Sequence, residues 1–204
     1  MLNKLSFLIL IFAFTLASAQ EKREYYKDGA IKSEGEIVDG QKEGTWMHYY
    51  PNGKVSAIEN YQKDVLQGEV KYYDPEGKLI GSENWESGLL EDSATYFYPS
   101  GQIEKTGKYQ DGLFESLWVF YHENGEKKRM GHYENGLPEG LWEFYYENGK
   151  LHQSGHFKDG LEDGKWKFYT SKGRLEYEGE YSSGEKSGNW YFINKKGKKI
   201  EIDY

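Results

Sequence analysis

The sequence predicts an all-β fold, an elongated antiparallel meander of β-hairpins built as a solenoid with a 24-residue period. Three observations carry that prediction. Glycine recurs at a fixed interval: Gly29, Gly53, Gly77, Gly101, Gly125, Gly149, Gly173 and Gly197 are each 24 apart, and three parallel ladders take in all but one of the remaining glycines. Aromatic residues keep the same interval, as in Trp46, Trp118, Trp142, Trp166 and Trp190, where Val70 and Ala94 break the series. No stretch carries the apolar period of a packed helix.

The elements follow in chain order. Residues 1–19 read as a secretory signal peptide: Lys4 is the one charge, Leu5 to Ala17 is almost wholly apolar, and Ala17-Ser18-Ala19 offers the small residues a signal peptidase reads. That apolar run is shorter than the roughly 20 residues of a membrane-spanning helix, so no integral membrane segment is expected after cleavage. Residues 20–204 then form a single domain of seven to eight units. Within one unit, Gly140 to Tyr146 is rich in strand formers and Glu147-Asn148-Gly149 is a hairpin turn. Lys150 to Phe157 is the return strand, and Lys158-Asp159-Gly160 opens a second turn. About fifteen short strands result, and at roughly 4.8 Å per strand the sheet would run about 70 Å.

Beyond residue 19 there are 32 aromatic residues against 27 Ala, Val, Ile and Leu, a balance foreign to an aliphatic core. Large rings on both faces of a strand explain how so thin a layer is stable. The chain has no cysteine, which excludes disulfides, cysteine zinc sites and thiol catalysis. A formal charge of −8 argues against nucleic acid as a ligand, and no P-loop, dinucleotide or nucleophile-elbow motif occurs. The protein is expected not to be an enzyme and to need no cofactor. His132 and His156, one unit apart, come nearest to a metal-ligand set with His152 and Glu180; Glu36, Asn60, Asn84 and Lys108 share their position, so an exposed row is expected and no metal.

Units such as Gly140-Leu141-Trp142 … Tyr145-Tyr146-Glu147-Asn148-Gly149-Lys150 … Gly155-His156-Phe157-Lys158-Asp159-Gly160 resemble the MORN repeat variant found in YwqK-type antitoxin components of bacterial toxin-antitoxin systems. The resemblance covers residues 21 to 200. It implies a β-repeat protein without catalysis that binds another protein, in some members a toxin.

Shared positions build the scaffold, so specificity is expected where units differ. Between Asp64 and Ser116 the tryptophan ladder lapses, turn glycines give way to Asp64, Asp92 and Ser116, and 11 acidic residues face 4 basic ones. The second turns gain apolar pairs, Val65-Leu66, Leu89-Leu90, Leu113-Phe114 and Leu137-Pro138, beside an acidic row at Glu91, Glu115, Glu139 and Asp163. The first member of each pair is expected to tuck beneath its turn and the second to stand exposed. Leu66, Leu89, Leu90, Leu113 and Phe114, with Glu91 and Glu115, are the candidate binding residues, suited to a basic, partly apolar protein partner. The alternative is a ribbon that stacks exposed rings on glycans. The expected setting is the periplasm, the cell surface or the medium of a bacterium, with the protein a monomer.

Overall fold

A computed structural model describes residues 19–203. The signal peptide read at residues 1–19 lies, Ala19 apart, outside the described residues. These form one open antiparallel sheet of 18 strands, without helices, running from Ala19–Tyr25 to Lys199–Ile202. Strands pair in sequence order, and every substantial contact between strands joins neighbours in the sheet. Val65–Leu66 with Gly68–Tyr73, and Leu89–Leu90 with Asp92–Phe97, are two strands each interrupted once. The meander expected from the ladders is the observed architecture.

Two kinds of turn alternate along it. The second turn is a two-residue hairpin: Glu134 pairs with Leu137 around Asn135-Gly136, whose φ angles are 50° and 81°. Two positive φ values match the twist of the flanking strands, which is why Asn-Gly and Asp-Gly recur here. The first turn is longer, closed by the Tyr146 N–H donating to the Lys150 carbonyl at 2.9 Å. One assignment changes. The ladder Gly44, Gly68, Asp92, Ser116, Gly140, Gly164 and Gly188 lies inside strands or at their interruptions rather than in turns, where a bulge also demands positive φ, 58° to 87°.

The five tryptophans of the ladder, Trp46, Trp118, Trp142, Trp166 and Trp190, share one face of the sheet and are 0–4% exposed. Each indole lies over the glycine eleven residues before it: a Cβ at Gly35, Gly107, Gly131, Gly155 or Gly179 would come under 3.0 Å from the ring carbons. Each of these five Nε1–H groups donates to the carbonyl ten residues earlier, from 2.8 Å at Trp118 to 3.2 Å at Trp166. Phenylalanines bridge the indoles, with centroids 6.0 Å apart for Trp142 and Phe144 and 6.2 Å for Phe144 and Trp166. Such pairs add about 0.5–1.5 kcal/mol each beyond the area they bury, so the row of rings serves as the core of a single-layer sheet.

Units are also tied together at both edges. The N–H groups of Gly136 and Gly184, in second turns, donate to the carbonyls of Phe114 and Glu162 in the unit before, both at 2.9 Å. At the other edge the hydroxyls of Tyr50, Tyr98 and Tyr146 donate to the carbonyls of Tyr73, Tyr121 and Tyr169 in the unit after, at 2.7–2.8 Å. The final strand departs from the pattern. Phe192 pairs with Ile200 and Trp190 with Ile202, whereas the preceding unit keeps a bulge and pairs Trp166 with Gly179. That slip of one residue turns Ile200 and Ile202 onto the tryptophan face and closes the row of rings over Trp190.

Candidate functional site

Alternation along the strand decides which member of each apolar pair is free. Phe114 lies an even number of residues from Trp118 and shares its face, with ring centroids 4.1 Å apart and further rings at Tyr109 and Tyr133, 5.1 and 5.0 Å away. Leu66 and Leu90, at the same repeat position, are half-buried. The first members point the other way. Val65, Leu89, Leu113, Leu137 and Leu161 are between 41% and 50% exposed. The expectation for the two members is therefore reversed by the structure: the residue after the turn projects off the tryptophan face, and the next one covers the rings.

The five exposed residues form a stripe along the edge of the second turns, spaced by two strands, or roughly 9.6 Å. Their cross-strand partners are Gln62, Glu86, Gln110, Glu134 and Lys158, so apolar and polar side chains alternate along it. Of the candidate residues from sequence, Leu89 and Leu113 belong to this stripe. Leu66, Leu90 and Phe114 belong to the ring face. Glu91 and Glu115 serve the scaffold: each carboxylate accepts the backbone N–H of Asp111 or Asn135 in the next turn, at 2.9 and 3.1 Å. Glu43 and Glu139 do the same for Lys63 and Asp159, at 2.9 and 3.0 Å. These turn N–H groups have no strand partner, and a carboxylate twenty residues earlier satisfies them.

A second feature escaped the sequence reading. Where the tryptophan ladder lapses, the paired glycine is replaced as well: Glu59 precedes Val70 and Glu83 precedes Ala94 by the same eleven residues that separate Gly35 from Trp46. Val70 and Ala94 are buried, Gly81 lies between the rings of Tyr72 and Tyr96, and Glu83 is only 8% exposed. Its carboxylate accepts the Tyr96 hydroxyl at 2.6 Å and the Trp85 Nε1–H at 3.1 Å. Glu59 accepts the Tyr61 hydroxyl at 2.7 Å and has His48 Nε2 at 2.7 Å, off the line of a hydrogen bond but within ion-pair distance. His48 first, then Tyr61, hold the Glu59 carboxyl below the usual carboxylate range against its burial. Burial pushes the Tyr72 and Tyr96 hydroxyls above the usual tyrosine range, with Glu83 adding to both. The sequence signal was present, since both glutamates stand on the Gly35 ladder. It becomes visible only when the glycine and tryptophan ladders are read as one.

His132 and His156 lie opposite Leu117 and Leu141 in neighbouring strands. Among the described residues no three His, Asp or Glu side chains gather closely enough to hold a metal ion. Nor does any helix among them suffice to cross a membrane.

A family model described as "MORN repeat variant" matches residues 42–63, 66–87, 93–111, 114–135, 138–159 and 162–183. No curated protein matches the chain. Among solved structures, a GtfA/B complex bound to UDP and GlcNAc is similar at 13% identity and a TM-score of 0.25, over 54% of this chain and 22% of that one. A TcdB2-TccC3-TEV structure is similar at 11% identity and a TM-score of 0.23, over 89% of this chain and 12% of that one. The chain thus spans under a quarter of the length of either.

Proposed function

The chain belongs to the MORN repeat variant family, whose repeats are modules for binding proteins or membranes, and on that premise we propose that it is a non-enzymatic scaffold that binds a basic, partly apolar protein along the edge of its second turns. The observation that carries this reading is the stripe Val65, Leu89, Leu113, Leu137 and Leu161, five apolar side chains held 41–50% exposed in register. Solvent-exposed apolar residues repeated at one position in consecutive units make a row of apolar side chains alternating with polar ones, a mixed surface of the kind that marks a protein interface. Glu86 and Glu134 within the line and Asp64 and Asp111 at the turn tips give it a negative border, which favours a basic partner. An acidic surface disfavours anionic lipid, so protein is preferred to membrane.

In this reading the signal peptide exports the protein, which acts as a monomer at or beyond the cell envelope, and an antitoxin-like role is one form of such binding. Glycan stacking needs open ring faces in a row, and the five tryptophans of the ladder are at most 4% exposed, which supports protein over sugar. Changing Leu89, Leu113 and Leu137 together to Ser tests the proposal. The variant is expected to keep the melting temperature of the parent and to lose at least tenfold in capture of a cross-linked partner from envelope extract. Equal capture by both would remove the stripe from the interface.

A further inference from the structure

Glu83 is a buried carboxylate with only neutral donors. Its two hydrogen bonds come from a tyrosine hydroxyl and an indole N–H, and no Lys, Arg or His among the described residues forms an ion pair with it. One unit earlier the equivalent carboxylate, Glu59, has His48 at 2.7 Å. The residue that corresponds to His48 in the Glu83 unit is Tyr72, which cannot carry a positive charge. A carboxylate taken out of water without a countercharge is costly, and the Glu83 unit places no basic nitrogen where the Glu59 unit has the His48 ring.

The surroundings suit a cation from outside. The tryptophan that fills this place in other units is replaced by Ala94, and the ring positions around Glu83 are Tyr72, Trp85 and Tyr96. Aromatic faces attract cations through their quadrupole, more so where water is excluded. The same face of the sheet already carries cations laid on rings: Lys42 Nζ lies 4.3 Å from the Trp46 centroid, and the Arg129 guanidinium 4.2 Å from that of Phe120. Lys105 Nζ lies 4.3 Å from the Tyr96 centroid, without pairing with Glu83.

We infer that Glu83, with the rings of Tyr72, Trp85 and Tyr96, is a receptor for one cationic side chain, arginine or lysine, presented by a basic segment of the protein partner. This rests on the protein-binding reading and adds a second point of contact, on the ring face rather than on the turn edge. The carboxylate supplies the charge and the rings supply a desolvated wall. The segment therefore reaches over the edge of the ribbon onto the stretch where Val70 and Ala94 replace the ladder tryptophan.

The test is an NMR titration of the full chain with capped tripeptides Gly-Arg-Gly and Gly-Lys-Gly, and with Gly-citrulline-Gly as the neutral isostere. The arginine or the lysine peptide is expected to shift the Gly81 amide and the Trp85 indole saturably, the one that does so naming the preferred side chain, while the citrulline peptide does not. Glu83→Gln should weaken binding at least tenfold, Glu83→Asp should stay within about threefold, and Glu59→Gln should change it less than twofold. Equal shifts from the citrulline peptide, no saturable shift, or unchanged binding to Glu83→Gln would overturn the inference. The citrulline comparison needs no variant, so it decides the matter even should Glu83→Gln fail to fold. Tripeptides do not span the distance to the turn edge. Peptide binding and the Leu89, Leu113 and Leu137 variant therefore fail independently.

Discussion

The indole of Trp142 occupies the space that a Cβ on Gly131 would need, and the two residues, eleven apart in sequence, are neighbours in paired strands. Gly131→Ala is therefore expected to cost about 1–3 kcal/mol by overpacking, and Trp142→Ala about 3–5 kcal/mol through the lost ring. Combining Gly131→Glu with Trp142→Ala copies the Glu83 and Ala94 pair that the chain already uses. The double variant should be less destabilised than the sum of its single changes by at least 0.5 kcal/mol, the lower bound for residues in contact. Urea unfolding of the four proteins checks it, and additive losses would mean that the two ladders are independent.

Glu115 should matter to the fold rather than to the partner alone. Its carboxylate accepts the Asn135 N–H at 3.1 Å, and Glu115→Ala is expected to lower stability by about 1 kcal/mol. Hydrogen exchange should quicken at Asn135 and Gly136, while Glu134→Ala, one residue before the turn, leaves those amides as they were.

Acid should weaken the N-terminal units first. Glu59 lies below the usual carboxylate range chiefly because of His48, and Glu34 chiefly because of the Tyr49 hydroxyl. A lowered carboxyl contributes stability that is present above its unfolded pKa, about 4.3, and lost as the pH falls through its lower folded value. The urea midpoint should hold steady from neutral pH down to about 5 and then drop, and in Glu34→Gln/Glu59→Gln the drop should be shallower. An equally steep drop in that variant would place the acid sensitivity elsewhere.

Alkali acts with the opposite sign. The Tyr49 and Tyr145 hydroxyls are each pushed up to about 12, by burial first and then by Glu34 and Glu143. A raised tyrosine contributes stability that is fully present below its unfolded pKa, about 10, and lost as the pH rises through the folded value. Ultraviolet difference absorbance should show these two rings ionising later than the same tyrosines do in the urea-unfolded chain.

The C-terminal slip predicts a local effect. Ile200→Ser with Ile202→Ser should uncover Trp190 and raise hydrogen exchange in Glu185–Ile193 several-fold. The strand Leu137–Tyr145, far along the sheet, should be unaffected, because each unit contacts mainly its neighbours.

Much of this was legible in the sequence because the scaffold is written at fixed positions. Gly149 and Trp142 declare a turn and a core ring simply by recurring. Parity alone would also have placed Phe114 on the face of Trp118 and left Leu113 free, whereas an expectation based on apolar character and proximity to the turn inverted them. Glu115 was harder to place. Nothing in a run of exposed carboxylates reveals that one of them reaches a backbone N–H twenty residues on, since that needs the register of three strands. Glu83 was hidden differently, as the absence of a glycine in a ladder read for the glycines it contains.

The ties between successive turns bear on how the ribbon carries load. A meander pulled by its ends across the strands would open like a zip, one hydrogen bond at a time and at low force. The bond from the Gly136 N–H to the Phe114 carbonyl and the one from the Tyr146 hydroxyl to the Tyr169 carbonyl cross whole hairpins and lock them at opposite edges. Tension would then free the sheet one repeat at a time, each step releasing 24 residues of chain, or about 80 Å of contour. A protein tethered at one end and gripped at the other would give way as a series of equal extensions, retaining its unpeeled units as a binding surface throughout.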